Sequence, residues 1–162
     1  KMAPEQFGNL PSTAFGGLES NQLKSLPTDL LTGMGKKAFS AINPEAFGGF
    51  NPNKFNDVPS KLIKTIDSDQ LGELKPKTLA KIDDEIIKSL KPKAFEGMTE
   101  KQASKIKPNI AKEFSKKQIQ QIVPETIASL PDQVFKILEV DFSPSQLIGD
   151  IFGWSLWSLR TN

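Results

Sequence analysis

The side chains of this sequence that could bind a partner are mostly regularly spaced lysines. They form two columns at a sixteen-residue interval, Lys75, Lys91 and Lys107 in one and Lys61, Lys77 and Lys93 in the other. Aligned ammonium groups attract an anionic polymer or an acidic protein surface through salt-sensitive contacts. The alternative interpretation is a solvated face that keeps the protein soluble. Residues 61–122 hold fourteen Lys against nine Asp or Glu, and residues 123–162 hold two basic against five acidic residues, so the acidic end of a second copy is another possible partner.

The residue types needed for most catalytic and metal sites are missing or scattered. The sequence contains no Cys, His or Tyr, which excludes thiol chemistry, imidazole bases and the usual zinc ligands. The acidic runs at 67–69 and 83–85 lack the later Gly and Glu of a calcium loop. Arg160 is the single arginine beside twenty lysines, whereas bidentate recognition of bases favours arginine. We therefore expect no enzyme, no cofactor and no sequence-specific nucleic-acid binding.

A sixteen-residue repeat defines the elements that must carry these side chains. One apolar anchor recurs nine times, at Leu10, Leu26, Ile42, Val58, Leu74, Leu90, Ile106, Ile122 and Leu138. Other apolar columns lie three residues before, five after and eight after the anchor, as Leu71, Leu79 and Ile82 do around Leu74. A spacing of three places two residues on one side of a helical turn, whereas a strand alternates at two. The pattern predicts stacked units that share a continuous core, with residues sixteen apart in vertical register.

Helix-start and helix-stop residues divide each repeat into two short helices. The predicted N-caps are Asn51, Asp67, Asp83, Thr99 and Ser115, and Gln70, Gln102 and Gln118 complete capping boxes. Prolines just after the anchors, such as Pro76, end one helix and begin the next. Gly17, Gly33, Gly49 and Gly97 are predicted to end the second helix in the left-handed conformation. Helices this short need their neighbours, because isolated helices of fewer than about 12–15 residues are marginal in water.

These patterns together predict an all-α fold, an α-solenoid of about nine 16-residue two-short-helix repeats with an atypical C-terminal capping helix. Residues 1–142 form the repeat array, and residues 143–162 form an apolar cap or assembly segment. Head-to-tail assembly is one expectation for this segment, with contacts through Ile151, Phe152, Trp154 and Trp157. An interfacial membrane anchor is another, whereas no run is long enough for a transmembrane segment.

The repeats resemble a known pattern of surface proteins. Residues 115–130, which read SKKQIQQIVPETIASL, look like the short helical repeats of the mesothelin and stereocilin group. Similar proline-punctuated units occur in large bacterial and algal surface proteins. The resemblance implies a secreted or surface-exposed superhelix engaged in adhesion or matrix building. We therefore expect a structural or adhesive scaffold, extracellular or at the cell surface, whose partners are copies of itself, another surface protein or an acidic polysaccharide. The alternative is a binding module whose lysine columns dock an anionic polymer or an acidic protein surface.

Overall fold

A computed structural model describes residues 3–141, which form short helices joined by tight turns and contain no strand. The helices are Pro4–Gly8, Ser12–Ala14, Ser20–Ser25, Thr28–Thr32, Lys36–Ser40, Pro44–Gly49, Pro52–Asn56, Ser60–Ile63, Ser68–Glu73, Pro76–Leu79, Asp84–Ser89, Pro92–Gly97, Glu100–Ala103, Pro108–Ala111, Lys116–Ile119, Pro124–Ala128 and Asp132–Asp141. Three of them, Ser12–Ala14, Pro44–Gly49 and Pro92–Gly97, are 3₁₀ helices. The prediction of an all-α fold built from many short helices is confirmed. The proposed segment 143–162 lies outside the described residues.

The smallest unit of this fold is eight residues long, one helix with the turn that follows it. Each sixteen-residue repeat therefore contains two such units, and the four apolar columns of the sequence reduce to two positions three residues apart. Leu71, Leu74, Leu79 and Ile82 occupy these positions in two successive units, and each is at most 3% exposed. The residue just before the first apolar position is also buried in most units, as Gln70 is. Three positions in every eight therefore face the core.

The helix starts follow the predicted capping pattern with one exception. Side-chain oxygens of Asn51, Asp67, Thr99 and Ser115 accept hydrogen bonds of 2.8–3.2 Å from the backbone N–H three residues later. Asp83 also precedes a helix, but its side chain makes no capping hydrogen bond, so this prediction is wrong. Asn56, 27 residues earlier, supplies the bond instead, since its Oδ1 accepts from the Asp83 backbone N–H at 3.0 Å. Its Nδ2 also donates to the Lys81 carbonyl at 3.2 Å.

Prolines separate the helices as the sequence predicts. Pro44, Pro76, Pro92, Pro108 and Pro124 all lie in the first turn of a helix. Leu74 shows the connection, because it leaves helix Ser68–Glu73 in an extended conformation, with φ −61° and ψ 133°, and leads into Pro76. After Leu138 the corresponding proline is absent, and helix Asp132–Asp141 runs for ten residues. The other helices span three to six residues.

The predicted left-handed glycine stops are wrong. Among the glycines of residues 3–141 none has a positive φ, and Gly33 ends its helix at φ −79°. Two of the predicted positions are needed for a different reason, which is close approach of neighbouring helices. A Cβ atom on Gly49 would lie 2.0 Å from the carbonyl oxygen of Ser20, and one on Gly97 would lie 1.8 Å from that of Ser68. Only glycine fits where backbones approach so closely.

Helices that pack against each other are three apart in chain order. The most extensive contacts join Ser20–Ser25 with Pro44–Gly49, and Ser68–Glu73 with both Pro44–Gly49 and Pro92–Gly97. Corresponding residues of such pairs are 24 apart in sequence, and every other extensive helix pair in the described range has the same offset. No extensive pair joins helices sixteen residues apart, so the expected vertical register at that interval is wrong. Three inward-facing positions per unit carry more side-chain volume than a two-helix layer can enclose at normal packing density.

The close helix crossing at Gly97 predicts a large difference between two glycine substitutions. We expect Gly97→Ala to lower the free energy of unfolding by about 1–3 kcal/mol, because the new methyl group overlaps the Ser68 carbonyl. Gly17 occupies the equivalent position of an earlier unit, and a Cβ there meets nothing within 4 Å. Gly17→Ala should therefore be neutral or stabilise the fold by up to about 1 kcal/mol. Urea unfolding followed by circular dichroism compares the two, and equal effects would contradict the close crossing.

Candidate interaction surface

Five polar side chains are buried at the same position of the eight-residue unit. They are Gln70, Thr78, Gln102, Gln118 and Thr126, each at most 3% exposed. Each is the third residue of its helix and directly precedes the first apolar position. No buried side-chain nitrogen or oxygen of the described residues lacks a hydrogen-bond partner. The sequence signal for this column is that polar residues recur at multiples of eight beside core residues, a signal that the sixteen-residue period obscures.

The amide of Gln102 joins two helices that are distant in sequence. Its Oε1 accepts from the backbone N–H of Thr99 at 2.8 Å, which confirms the predicted capping box. Its Nε2 donates to the carbonyl oxygens of Leu71 and Leu74, at 2.8 and 2.7 Å, which lie 31 and 28 residues earlier. Those carbonyls belong to the C-terminal end of helix Ser68–Glu73, where no intrahelical donor remains. One side chain thus caps the start of one helix and the end of another.

The same connection recurs along the array. The other pairs separated by 28 residues are Gln70 with Ile42, Thr78 with Phe50, Gln118 with Leu90, and Thr126 with Met98, at 2.9–3.0 Å. In each pair the side chain donates and the backbone carbonyl at or just after a helix end accepts. Sequence reasoning predicted the capping half of the three glutamines and missed the half that reaches back 28 residues. That half depends on which helices meet in space.

Lys54 occupies the same position in helix Pro52–Asn56, with an ammonium group in place of the amide. Its Nζ donates to the carbonyl oxygens of Leu23, Lys24 and Leu26, at 3.1 Å for Leu23 and 2.6 Å for Leu26. Burial lowers the pKa of this half-buried lysine. The cation lies at the C-terminal end of helix Ser20–Ser25, where the helix dipole favours a positive charge.

The six lysines that the sequence proposes as contacts are all exposed, namely Lys61, Lys75, Lys77, Lys91, Lys93 and Lys107. The structure does not gather either column into one site. Lys75 borders an open hollow of about 680 Å³ together with Glu73, Glu100 and Lys101. Lys107 borders a separate hollow of about 420 Å³ together with the acidic run 83–85. Each hollow combines both signs of charge, so polyanion binding by these columns stays a prediction.

One exposed ion pair links two of the helical units. Nζ of Lys88 lies 2.8 Å from Oε2 of Glu113, 25 residues later in the chain. The hydrogen bond from Glu113 raises the pKa of Lys88. The pair has the same offset as the packed helices, so it adds a contact between neighbouring layers. At the surface such pairs contribute little stability.

The described surface offers charge and hydrogen bonds rather than a reactive centre. Within residues 3–141, no cluster of three or more acidic side chains is placed to hold a metal ion. The helices of this range are also too short and too polar for any of them to cross a bilayer. Val123, 40% exposed, is the one large apolar side chain of the range that is fully at the surface. The proposed assembly residues Ile151, Phe152, Trp154 and Trp157 lie beyond the described residues.

Comparison with known proteins adds no relative to this picture. No protein-family model matches the chain, and no curated protein or solved structure is detectably similar to it. The contacts between helices and the repeat pattern are therefore the basis for a function.

Replacing one buried amide tests whether the connection between distant helices stabilises the fold. Gln102→Glu keeps the oxygen that caps Thr99 but directs a carboxylate at the Leu71 and Leu74 carbonyls. We expect a loss of about 3–5 kcal/mol at neutral pH, the cost of an unpaired buried charge. The buried carboxyl should have a raised pKa, so the loss should be small at low pH and grow as pH rises above about 4.3, the ordinary pKa of Glu.

The matched control is Gln22→Glu, at the equivalent position of an exposed helix start. The Gln22 Oε1 accepts from the Glu19 backbone N–H at 2.9 Å, and a glutamate retains that acceptor. We expect a change within about 0.5 kcal/mol, as for other surface substitutions. Urea unfolding at several pH values measures both variants. A pH-independent effect of Gln102→Glu, or one no larger than the control, would contradict the role of the amide.

Proposed function

We propose that this chain is an α-solenoid that serves as a structural scaffold and assembles with copies of itself. Two separations support a superhelix. Packed helices are 24 residues apart, and the side-chain hydrogen bonds reach back 28–31 residues. A turn of about 28 residues, between three and four helical units, accounts for both separations. Residues 3–141 would then make about five turns.

The recurrent hydrogen bond between successive turns is the observation that carries the scaffold proposal. It runs from Lys54 to Thr126, so it spans most of the described array and joins each turn to the one before. Apolar packing alone is non-directional, whereas an amide held by three backbone groups fixes the axial and angular position of a turn. With turns spaced like packed helices, about 8–10 Å, the five turns form a stiff rod on the order of 40–50 Å long.

A cell-surface or extracellular location and an adhesive role are part of this proposal. They rest on the resemblance of the proline-punctuated repeats to the mesothelin and stereocilin pattern. A filament or surface-layer subunit fits such a location, because a regular rod with two unlike ends forms open head-to-tail assemblies. Another surface protein is the alternative partner for the same ends.

A second function, binding of an anionic polymer, is favoured by the packing of lysine-bearing helices. Helix Lys36–Ser40 packs on Ser60–Ile63, and Pro92–Gly97 packs on Lys116–Ile119. They carry the exposed residues Lys37, Lys61, Lys93 and Lys117, separated by 24, 32 and 24 residues. With about 28 residues per turn, these four lysines share one side of the rod. Residues sixteen apart, as in the predicted columns, lie more than half a turn from each other.

The scaffold proposal predicts end-to-end association of the purified chain. Negative-stain microscopy and sedimentation velocity over a range of concentrations should show rods that join into chains as concentration rises. Phe152→Ser with Trp157→Ser should weaken this association, since these residues are the expected apolar contacts. Val123→Ser is the control, because it removes an exposed apolar side chain from the body of the array. Dispersed single rods at the highest concentration would contradict self-assembly.

The polyanion function predicts that two pairs of lysines differ in importance. Lys61→Gln with Lys93→Gln removes two charges from one side of the rod, whereas Lys75→Gln with Lys91→Gln removes two from opposite sides. We expect the first variant to lose more affinity for heparin, and the affinity of the parent chain to fall steeply with added salt. Titration calorimetry at low and physiological salt measures both effects. Equal losses, or binding that is insensitive to salt, would contradict this function.

A further inference from the structure

The first turn of the array contains amide donors that the later turns use to hold the preceding turn. Gln6 and Gln22 occupy the same helix position as Gln102, and their Oε1 atoms accept from the backbone N–H groups of Ala3 and Glu19 at 3.2 and 2.9 Å. In Gln102 the Nε2 atom also donates to carbonyls 28–31 residues earlier. No residue in the range 3–141 accepts from Nε2 of Gln6 or Gln22, and both side chains are exposed.

The apolar columns are uncovered at the same end of the array. Phe7, Leu10, Leu18 and Leu26 are only partly buried. From Leu31 to Leu130, by contrast, every residue at the two apolar positions is buried. The members of the first turn lack the layer that covers their counterparts in later turns. We call the exposed set the first-turn surface, and it comprises Gln6, Phe7, Leu10, Leu18, Gln22 and Leu26.

The donors and the apolar side chains together match the chemistry found between two turns inside the array. The layer that fits them presents helix-end carbonyls flanked by apolar residues, as Leu71 and Leu74 do for Gln102. A purely apolar partner would leave the two amides buried without acceptors, at a cost of about 1–3 kcal/mol each. An anionic partner would meet Glu5, Glu19 and Asp29 with Lys24 as the single described cation of residues 3–34.

We infer that the first-turn surface is the docking site for the C-terminal end of a second copy of this chain. The inference rests on the proposed self-assembly and names the two surfaces that meet. The C-terminal end of the sequence supplies apolar residues in Ile151, Phe152, Trp154 and Trp157, and a turn of the same repeat supplies helix-end carbonyls. Because the two surfaces differ, the contact is head to tail and leaves a free surface at each end for the next copy.

The double variant Gln6→Glu with Gln22→Glu tests the amide donors without removing the helix caps. Glutamate at this position still accepts from the N-cap backbone, so the melting temperature should not change. The variant replaces both donors with carboxylates that repel the carbonyls of a docking copy, and association should weaken at least about tenfold. The control is Asn53→Asp with Asn109→Asp, which adds the same two charges at exposed first-turn positions of Pro52–Asn56 and Pro108–Ala111. Its association should match the parent chain in sedimentation velocity.

A cross-linking experiment identifies which surface meets the first turn. The sequence contains no cysteine, so Asn21→Cys gives a single attachment site for a photo-cross-linker. Asn21 is exposed and corresponds to Lys101, which borders residues 72–76 of an earlier turn. Mass spectrometry should find cross-links from Asn21→Cys to residues 132–162 of a second copy. Cross-links to residues 3–34 of the second copy would overturn the inference in favour of head-to-head pairing.

The outcomes separate this inference from the function on which it rests. If the chain associates but the Gln6→Glu, Gln22→Glu variant associates equally well, the first-turn surface is not the docking site and self-assembly stands. If the variant weakens association and the cross-links join opposite ends, both are supported. If the parent chain does not associate at any concentration, both fail.

Discussion

The fold depends on satisfying the ends of helices that are too short to satisfy themselves. An α-helix leaves four N–H groups at its start and four carbonyls at its end without intrahelical partners. In a four-residue helix such as Glu100–Ala103, almost every backbone group belongs to one end or the other. Stacking these helices buries their ends, where an unpaired group costs about 1–3 kcal/mol. A side chain that reaches two helix ends at once therefore decides where the next turn lies.

The residue at this position matches the way in which each helix begins. Gln102 and Gln118 follow hydroxyl N-caps, and each amide offers an acceptor to the N-cap backbone and donors to the earlier turn. Thr78 and Thr126 lie in helices that begin with proline, which has no N–H group to satisfy, and a hydroxyl donor is sufficient. Proline thus does more than end a helix. It reduces the hydrogen bonds that the buried side chain must make.

The sequence predicts local features well and the packing interval poorly. The caps at Asp67 and Thr99 and the proline at 76 depend on residues at most three positions away, and the structure has them as expected. Asp83 and Gly97 differ from expectation because their surroundings come from residues 27 and 29 positions earlier, Asn56 and Ser68. The sequence repeats every sixteen residues because two kinds of helix start alternate. The packing offset of 24 follows instead from how many helices are needed to enclose the core.

The mismatch between the sequence repeat and the proposed turn determines what the surface can do. Sixteen residues are four sevenths of a turn of about 28, so a side chain repeated in every unit points in seven directions around the rod before it returns to its first side. A strictly repeated charge is therefore spread evenly, which keeps the rod soluble and gives it no preferred face. A binding stripe has to come from departures from the repeat, as with Lys37 and Lys117. The two ends differ from the body whatever the side chains are, because each lacks a neighbouring turn. This asymmetry between a uniform side and two distinct ends favours a scaffold that grows end to end over a module that binds along its length.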